Sequence, residues 1–215
     1  MFRNMKLEHK LFVLIISFFI LNVFIIFMLY YNLSKEVHTL TRNNLEISIE
    51  KNLYNQTQSV AKLIHSRIKD VQDEKEKERI VNELLQKVTF EDDESGYFFV
   101  YKEHTAIAYP HYAQQNIGKD FYDHKDSNGV YLVRELKKQA DNGGGFVRYV
   151  WPKKVENELI DTPKISYATK FEGISNAFIG TGVYVDDIQK TTQNIDSKFD
   201  AELLKVSIFG IIIYL

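Results

Sequence analysis

The stretch from Asp141 to Lys154 reads DNGGGFVRYVWPKK and places three consecutive glycines between a helical and a strand-like pattern. Before it, VYLVRELKKQA has apolar residues at helical spacing, whereas FVRYVW alternates as strands do. Gly143 can end the helix in the left-handed conformation, and Gly144 and Gly145 let the backbone turn into the strand without Cβ clashes. A phosphate-binding glycine loop is the disfavoured alternative, because that loop precedes a helix and has a lysine after it.

Strand-like segments on both sides of this stretch predict an antiparallel sheet. We expect one helix between the second and third strands, with Asp126, Ser127 or Asn128 as its N-cap, and a last helix that begins at Asp186. A sheet with helices beside it belongs to the α+β class, and this meander, framed by a long N-terminal helix and a C-terminal helix, resembles a PAS-like module. The five predicted strands are Tyr97–Lys102, Thr105–Tyr109, Phe146–Trp151, Lys164–Phe171 and Ala177–Val185.

Both ends of the chain carry apolar runs. Leu11–Tyr31 has only Ser17 and Asn22 as polar interruptions, which is long enough to span a bilayer and favours a retained anchor over a cleaved signal peptide. The basic residues before it place the N-terminus in the cytoplasm. Val206–Leu215 fits the start of a second span, with a helix packed on the domain as the alternative. The expected segments are a cytoplasmic N-terminus at 1–10, a transmembrane helix at 11–31, a stalk helix and a short connecting helix at 32–95, the domain core at 96–188, a helix toward the membrane at 189–205 and a truncated second transmembrane helix at 206–215.

Apolar residues at steps of three and four from Leu33 to Val71 predict one long amphipathic helix. The apolar stripe fits either a coiled-coil seam in a homodimer or a face that packs on the helix's own domain. The charged run KDVQDEKEKER at Lys69–Arg79 is interpreted as a solvated helix junction.

Composition excludes several functional classes. The 27 basic and 29 acidic residues give a net charge of -2 and are mixed along the chain, so no nucleic-acid partner is expected. The absence of cysteine rules out disulfides and thiol chemistry. We expect no enzyme, no cofactor and no metal, because the intervals between His104, His111, Asp123 and His124 match no standard ligand spacing.

Five ordered sequence blocks over roughly ninety residues resemble the single Cache domain of bacterial transmembrane receptors, most often methyl-accepting chemotaxis proteins. The resemblance covers about Gly96 to Ile188. Two departures concern the ligand: AYPHY replaces the family's His-Pro, and FEGISNAFIG lacks the usual tryptophan. The matching blocks are GYFFVYKEHTAIAYP, NIGKDFYDHKDSNGVYLVREL, GGGFVRYVWPKK, PKISYATKFEG and IGTGVYVDDI.

The resemblance implies a sensor domain on the periplasmic side of a bacterial inner membrane, which binds a short-chain carboxylate and signals through its terminal helices. The input domain of a sensor histidine kinase or diguanylate cyclase is an alternative, as is a ligand-independent dimerisation or partner-binding module. A carboxylate needs a cation or several donors, and Lys164 is the best candidate for the cation. Tyr167 falls on the opposite face of a regular strand from Lys164. The full set of expected ligand-binding residues is Tyr101, His111, Tyr149, Trp151, Lys164 and Tyr167.

Overall fold

The computed structural model describes residues 6–155 and 158–214. For Asp187, Leu203 and residues 206–214 it describes the backbone only. It divides into two compact units, Met1–Leu45 with Thr192–Leu215, and Glu46–Thr191. Besides a short 3-10 helix at His111–Asn116, its elements in chain order are α1 (Leu7–Ile68), α2 (Glu74–Leu85), β1 (Thr89–Phe90), β2 (Gly96–Lys102), β3 (Thr105–Ala108), α3 (Leu132–Asp141), β4 (Gly145–Val155), β5 (Glu158–Lys170), β6 (Ala177–Tyr184) and α4 (Val185–Tyr214).

The sheet of the second unit is antiparallel, as expected for an α+β domain, but its strands do not follow one another as a meander. The order is β1-β2-β6-β5-β4, and β3 also pairs with β2. The last strand therefore lies between the first hairpin and the β4–β5 hairpin. Each of the six registers of β2 against β6, from Tyr97↔Gly182 to Lys102↔Ala177, is a long-range pairing that joins the two ends of the domain.

The two faces of the sheet bury different helices. One face packs against α3, whose Leu132, Val133, Leu136 and Ala140 are buried at helical spacing together with aromatic residues of the strands. The other face packs against α2 and against Ala61, Ile64 and Ile68 of α1. The C-terminal part of α1 is thus one wall of the domain core, which corresponds to one of the two interpretations of its apolar stripe.

Several predicted boundaries are wrong. Strand β4 continues past Trp151 to Val155, and β5 begins at Glu158. Lys164 therefore lies inside β5 and is not its first residue. Helix α3 begins at Leu132, and Asp126 does not cap it. The Asp126 carboxylate instead accepts hydrogen bonds from the backbone N–H groups of Asn128, Val130 and Val150, which ties the loop to β4. Helix α2 begins within the charged run, with Asp73 as its N-cap.

The glycine turn has the expected conformation. Gly143 has φ +99° and Gly144 has φ +110°, both in the region that favours glycine, directly between α3 and β4. A Cβ added to Gly143 would meet no atom within 4 Å, whereas one added to Gly144 would lie 2.9 Å from the ring carbon Cζ of Tyr167. Gly144 is therefore needed for space as well as for its backbone angle.

The first unit consists of the N-terminal part of α1 and the C-terminal part of α4. Helix α1 is long and apolar enough to cross a membrane. One 18-residue stretch of it has a mean hydropathy of 3.0, and none of that stretch is buried. Beyond the predicted span, His38 Nδ1 lies 2.6 Å from Asp196 Oδ1 and His38 Nε2 lies 3.2 Å from Asp200 Oδ1. Residues 1–5 lie outside the described residues, and residues 206–214 are described only as helical backbone, so the cytoplasmic N-terminus and the second span stay predictions.

Candidate functional site

Lys164 lies on β5 and points to the sheet face that α3 covers. It lies opposite Tyr149 of β4 on one side and Tyr184 of β6 on the other, so the three residues form one row across the sheet. Because strand side chains alternate, Ser166 and Ala168 point to the same face as Lys164. The lysine is only 1% exposed. Burial this deep is unusual for a lysine and requires a compensating interaction.

The ammonium group of Lys164 is held by aromatic rings. Nζ lies 3.8 Å from the ring centroid of Tyr97 and 4.4 Å from that of Tyr184, which is cation–π geometry. Among the described residues it has no hydrogen-bond partner. Burial, followed by repulsion from the Lys153 ammonium, holds the pKa of Lys164 well below its ordinary value. A buried amino group with unused N–H donors is a site for an anion, because an anion would stabilise its charged form.

Hydroxyl-bearing residues flank Lys164 in the sheet. Tyr149 Oη and Ser166 Oγ are 2.8 Å apart and hydrogen-bonded, and Tyr184 Oη donates to the carbonyl of Pro152 at 2.8 Å. Burial raises the pKa values of Tyr97, Tyr149 and Tyr184, so these phenols stay protonated donors. The site thus combines one cation with neutral O–H groups inside an apolar wall, the composition expected of a small-anion pocket.

A glycine of β6 makes room for the hydroxyl cluster. Gly182 pairs with Ser166 on β5 and with Tyr97 on β2. A Cβ at Gly182 would overlap Ser166 Oγ and would lie 2.5 Å from the carbonyl oxygen of Ile165. The glycine in the GTGVY segment therefore leaves the space over β6 that the Ser166 side chain occupies.

Tyr101 lies on the same sheet face, deeper in the core. Its hydroxyl shares a hydrogen bond with that of Tyr109, and its ring stacks on Phe178 at a centroid distance of 5.3 Å. Trp151, farther along β4 from Tyr149, is half-buried and contacts His124 at 5.7 Å and Phe121 at 6.2 Å. The structure therefore groups Tyr101, Tyr149, Trp151 and Lys164 on one face.

His111 and Tyr167 lie elsewhere. His111 is exposed and lines an open cleft of about 550 Å³ beside Lys153, Tyr112 and Asp186. Tyr167 points to the opposite sheet face, as its strand alternation predicts, and packs on α1 with its ring 5.3 Å from that of Tyr54. Tyr167 and Lys164 are thus on different sides of the sheet.

Sequence reasoning missed four residues beside Lys164, namely Tyr97, Lys153, Ser166 and Tyr184. Ser166 could have been predicted from the sequence, since residues 164 and 166 share a strand face. The two tyrosines could be found only from the cross-strand registers. Tyr184 pairs with Lys164, and Tyr97 pairs with Gly182, which in turn pairs with Ser166. Lys153 required the extension of β4 past Trp151.

Arg134 does not belong to this site. Its guanidinium lies 3.8 Å from the ring centroids of both Tyr122 and Tyr131, and it pairs with Asp123. Within residues 6–155 and 158–214, no group of three or more His, Asp or Glu side chains is close enough to hold a metal ion.

Comparisons with known proteins agree with this fold. The Cache domain family model matches residues 28–206. The methyl-accepting chemotaxis protein CtpM of Pseudomonas aeruginosa is 32% identical over 129 residues, which are 59% of this chain and 22% of that protein. The sensor histidine kinase MctS of Rhizobium johnstonii is 28% identical over 156 residues, which are 72% of this chain and 30% of that protein. The match therefore spans less than a third of either relative.

Two solved structures share the fold. A methyl-accepting chemotaxis protein from Vibrio parahaemolyticus has a TM-score of 0.57 and 28% identity, and the match covers 70% of this chain and 98% of that one. A Cache chemosensory domain that recognises carboxylic acids has a TM-score of 0.58 and 20% identity, and the match covers 66% of this chain and 97% of that one. The family model matches residues 28–206, which are most of the chain, so the chain belongs to the Cache domain family.

Proposed function

We propose that this chain is the extracytoplasmic sensing domain of a bacterial membrane receptor and that it binds a short-chain carboxylate at Lys164. The observation that carries the proposal is the buried Lys164 ammonium, which makes no hydrogen bond within the described part of the chain. A carboxylate would replace the two cation–π contacts by charge-assisted hydrogen bonds, which are stronger. The hydroxyls of Tyr149 and Ser166 share one hydrogen bond, which uses one of their two protons, so the other can donate to the second carboxylate oxygen.

The site offers donors suited to an anion. Burial keeps its phenols protonated, so they can donate hydrogen bonds. The solved carboxylic-acid receptor supports the ligand class only through its fold, so the chemistry of Lys164 carries that assignment. A ligand-independent module would gain nothing from an unpaired buried cation, which is why we favour sensing.

The output of the receptor is that of a chemoreceptor or a sensor kinase, since one relative of each kind matches. We place the apolar segment 11–31 in the bacterial inner membrane and the sheet domain on the periplasmic side. A ligand can change the output only if it binds two arrangements of the domain with different affinity.

We also propose that the receptor is a homodimer that pairs through α1. Leu33, Leu40, Ile47 and Tyr54 recur every seven residues and are 50%, 53%, 63% and 46% exposed. A seven-residue apolar repeat on a long helix supplies one of the two apolar positions per heptad that a coiled-coil seam uses. Such a stripe is self-complementary, so a second copy of α1 can cover it in a twofold dimer.

The test is thermal unfolding of the full chain in detergent micelles with acetate, propionate, lactate, pyruvate, succinate, amino acids and amines. A ligand at a hundredfold excess over its Kd stabilises the folded state by about 2.7 kcal/mol. We expect a rise in Tm with short carboxylates and none with amines. Lys164→Met should remove the rise, whereas Lys170→Met, an exposed position on the same strand, should keep it. A carboxylate response that survives in Lys164→Met would refute this site.

A further inference from the structure

Lys153 is a second buried cation beside the proposed carboxylate site. It is 2% exposed, and its Nζ lies 3.0 Å from Asp93 Oδ2 and 3.1 Å from Asp186 Oδ2. Asp93 belongs to the turn before β2, and Asp186 lies in the first turn of α4. The ion pairs of Lys153 therefore connect β4 with the entry to β2 and with the helix that leaves the domain.

The ring of Tyr184 lies close to both lysines. Its centroid is 4.4 Å from Lys164 Nζ and 5.3 Å from Lys153 Nζ. Its hydroxyl donates to the carbonyl of Pro152, the residue before Lys153. Tyr184 is also the last residue of β6, two positions before Asp186. One side chain thus contacts the ligand-facing cation and the strand that carries the second cation.

A carboxylate at Lys164 would change the forces on this ring. The anion attracts the Lys164 ammonium more strongly than the neutral π-face does, so the ammonium moves toward the ligand and its contact with Tyr184 weakens. It also cancels the repulsion that Lys164 exerts on Lys153. The balance between Lys153, the Tyr184 ring and the Asp186 carboxylate must then shift.

Asp186 is placed to convey that shift to α4. A carboxylate in the first turn of a helix stabilises the helix through the helix dipole. The Oδ1 atom of Asp186 is buried with no hydrogen-bond partner in the described ranges, so the orientation of this carboxylate depends on the contact of Oδ2 with Lys153. A change at Lys153 is therefore a change at the start of α4.

We infer that Lys153 is a positioning residue that couples the carboxylate site, through Tyr184 and Asp186, to the first turns of α4. The inference rests on the proposed function, because it requires an anion at Lys164. Lys153 itself does not touch the ligand. Its removal should separate ligand binding from the response of the helix.

Hydrogen–deuterium exchange on the full chain in micelles, with and without saturating acetate, tests the coupling. We expect acetate to change the exchange of amides 189–195 severalfold relative to the amides of α2. In Lys153→Met, acetate should still bind, as followed by the rise in Tm, but the α4-specific change should be lost. Lys154→Met, the exposed neighbour on β4, should behave as wild type.

A second variant guards against misfolding of Lys153→Met. Asp186→Asn keeps the Lys153–Asp93 ion pair and removes the charge at α4, so it should lose the same response while binding acetate. A response of α4 that persists in both variants, or a wild-type chain that binds acetate without this response, overturns the inference and leaves the proposed function standing. A wild-type chain whose Tm no carboxylate shifts overturns both.

Discussion

Lys164 combines a cost in stability with a gain in recognition. Replacing this buried, unpaired ammonium by an apolar side chain of similar length removes a desolvation cost, so Lys164→Met should raise the free energy of unfolding at neutral pH by about 1–3 kcal/mol. The same variant should lose carboxylate binding. Chemical denaturation of the full chain checks the first effect, with Lys170→Met as the control. A destabilised Lys164→Met chain would mean that the ammonium has a stabilising partner.

The lowered pKa of Lys164 also predicts the pH dependence of stability. The folded-state pKa lies below the unfolded value, so between the two values the unfolded chain binds more protons. The free energy of unfolding contributed by this group therefore rises with pH across that window and is lowest below it. Denaturation curves at several pH values should show this rise in the wild type and a smaller one in Lys164→Met. Identical slopes in both would contradict the assignment.

Carboxylate binding should take up a proton at the same residue. A bound carboxylate raises the pKa of Lys164 from its lowered ligand-free value, so the Kd for acetate should increase with pH between the two values, by at most about tenfold per pH unit. Calorimetric titration in buffers with different ionisation enthalpies measures the proton uptake directly. Equal binding enthalpies in all buffers and a Kd that does not change with pH would contradict proton uptake at Lys164.

The residues of the site were only partly predictable from the sequence. Lys164 and Tyr149 could be named because chemistry selects a cation and phenols for an anion, and Tyr149 and Trp151 share a face by alternation alone. Tyr97 and Tyr184 join them through pairings that link residues 97 and 182, and 164 and 184. No local pattern encodes these registers, because each depends on which strands become neighbours.

Among the elements, the α3–β4 turn allows the backbone cost and the steric cost of replacing a glycine to be measured separately. Gly143→Ala should cost about 1–2 kcal/mol, since the positive φ is its only penalty. Gly144→Ala should cost at least about 1 kcal/mol more, because its Cβ would also overlap the Tyr167 side chain. Denaturation of both variants measures the difference, and equal losses would mean that Tyr167 moves aside freely.

The elements themselves were better predicted than their arrangement. The first hairpin, α3 and the glycine turn follow local rules of alternation, helical spacing and left-handed glycine, and the structure contains all three. The position of β6 beside β2 was missed because a meander is the default for successive strands, whereas here the apolar GTGVY strand is buried between two hairpins. The N-terminal part of β5 was missed because apolar and polar residues do not alternate in Glu158–Asp161, which is exposed throughout.

At the scale of the whole molecule, α1 serves two surfaces. One stripe, with Leu53, Ile64 and Ile68, is buried in the domain, and a second stripe, with Leu33, Leu40, Ile47 and Tyr54, stays exposed. The two interpretations of the helix from sequence are therefore compatible, since one face can pack on the domain while the other meets a second copy. A dimer would bring two copies of α1 together along this exposed stripe.

Ile47 offers the sharpest test of the dimer. Ile47→Glu would place a carboxylate in the seam of each copy and remove roughly 1.5–3 kcal/mol of apolar burial per side chain. The dimer Kd should therefore rise by more than about tenfold, while the acetate response stays unchanged because Lys164 lies in the sheet. Analytical ultracentrifugation of the full chain in micelles measures the association. Gln56→Glu adds the same charge at an exposed position outside the stripe and should leave the dimer intact. A wild-type chain that sediments as a monomer, or an Ile47→Glu chain that still sediments as a dimer, would require another partner for the stripe.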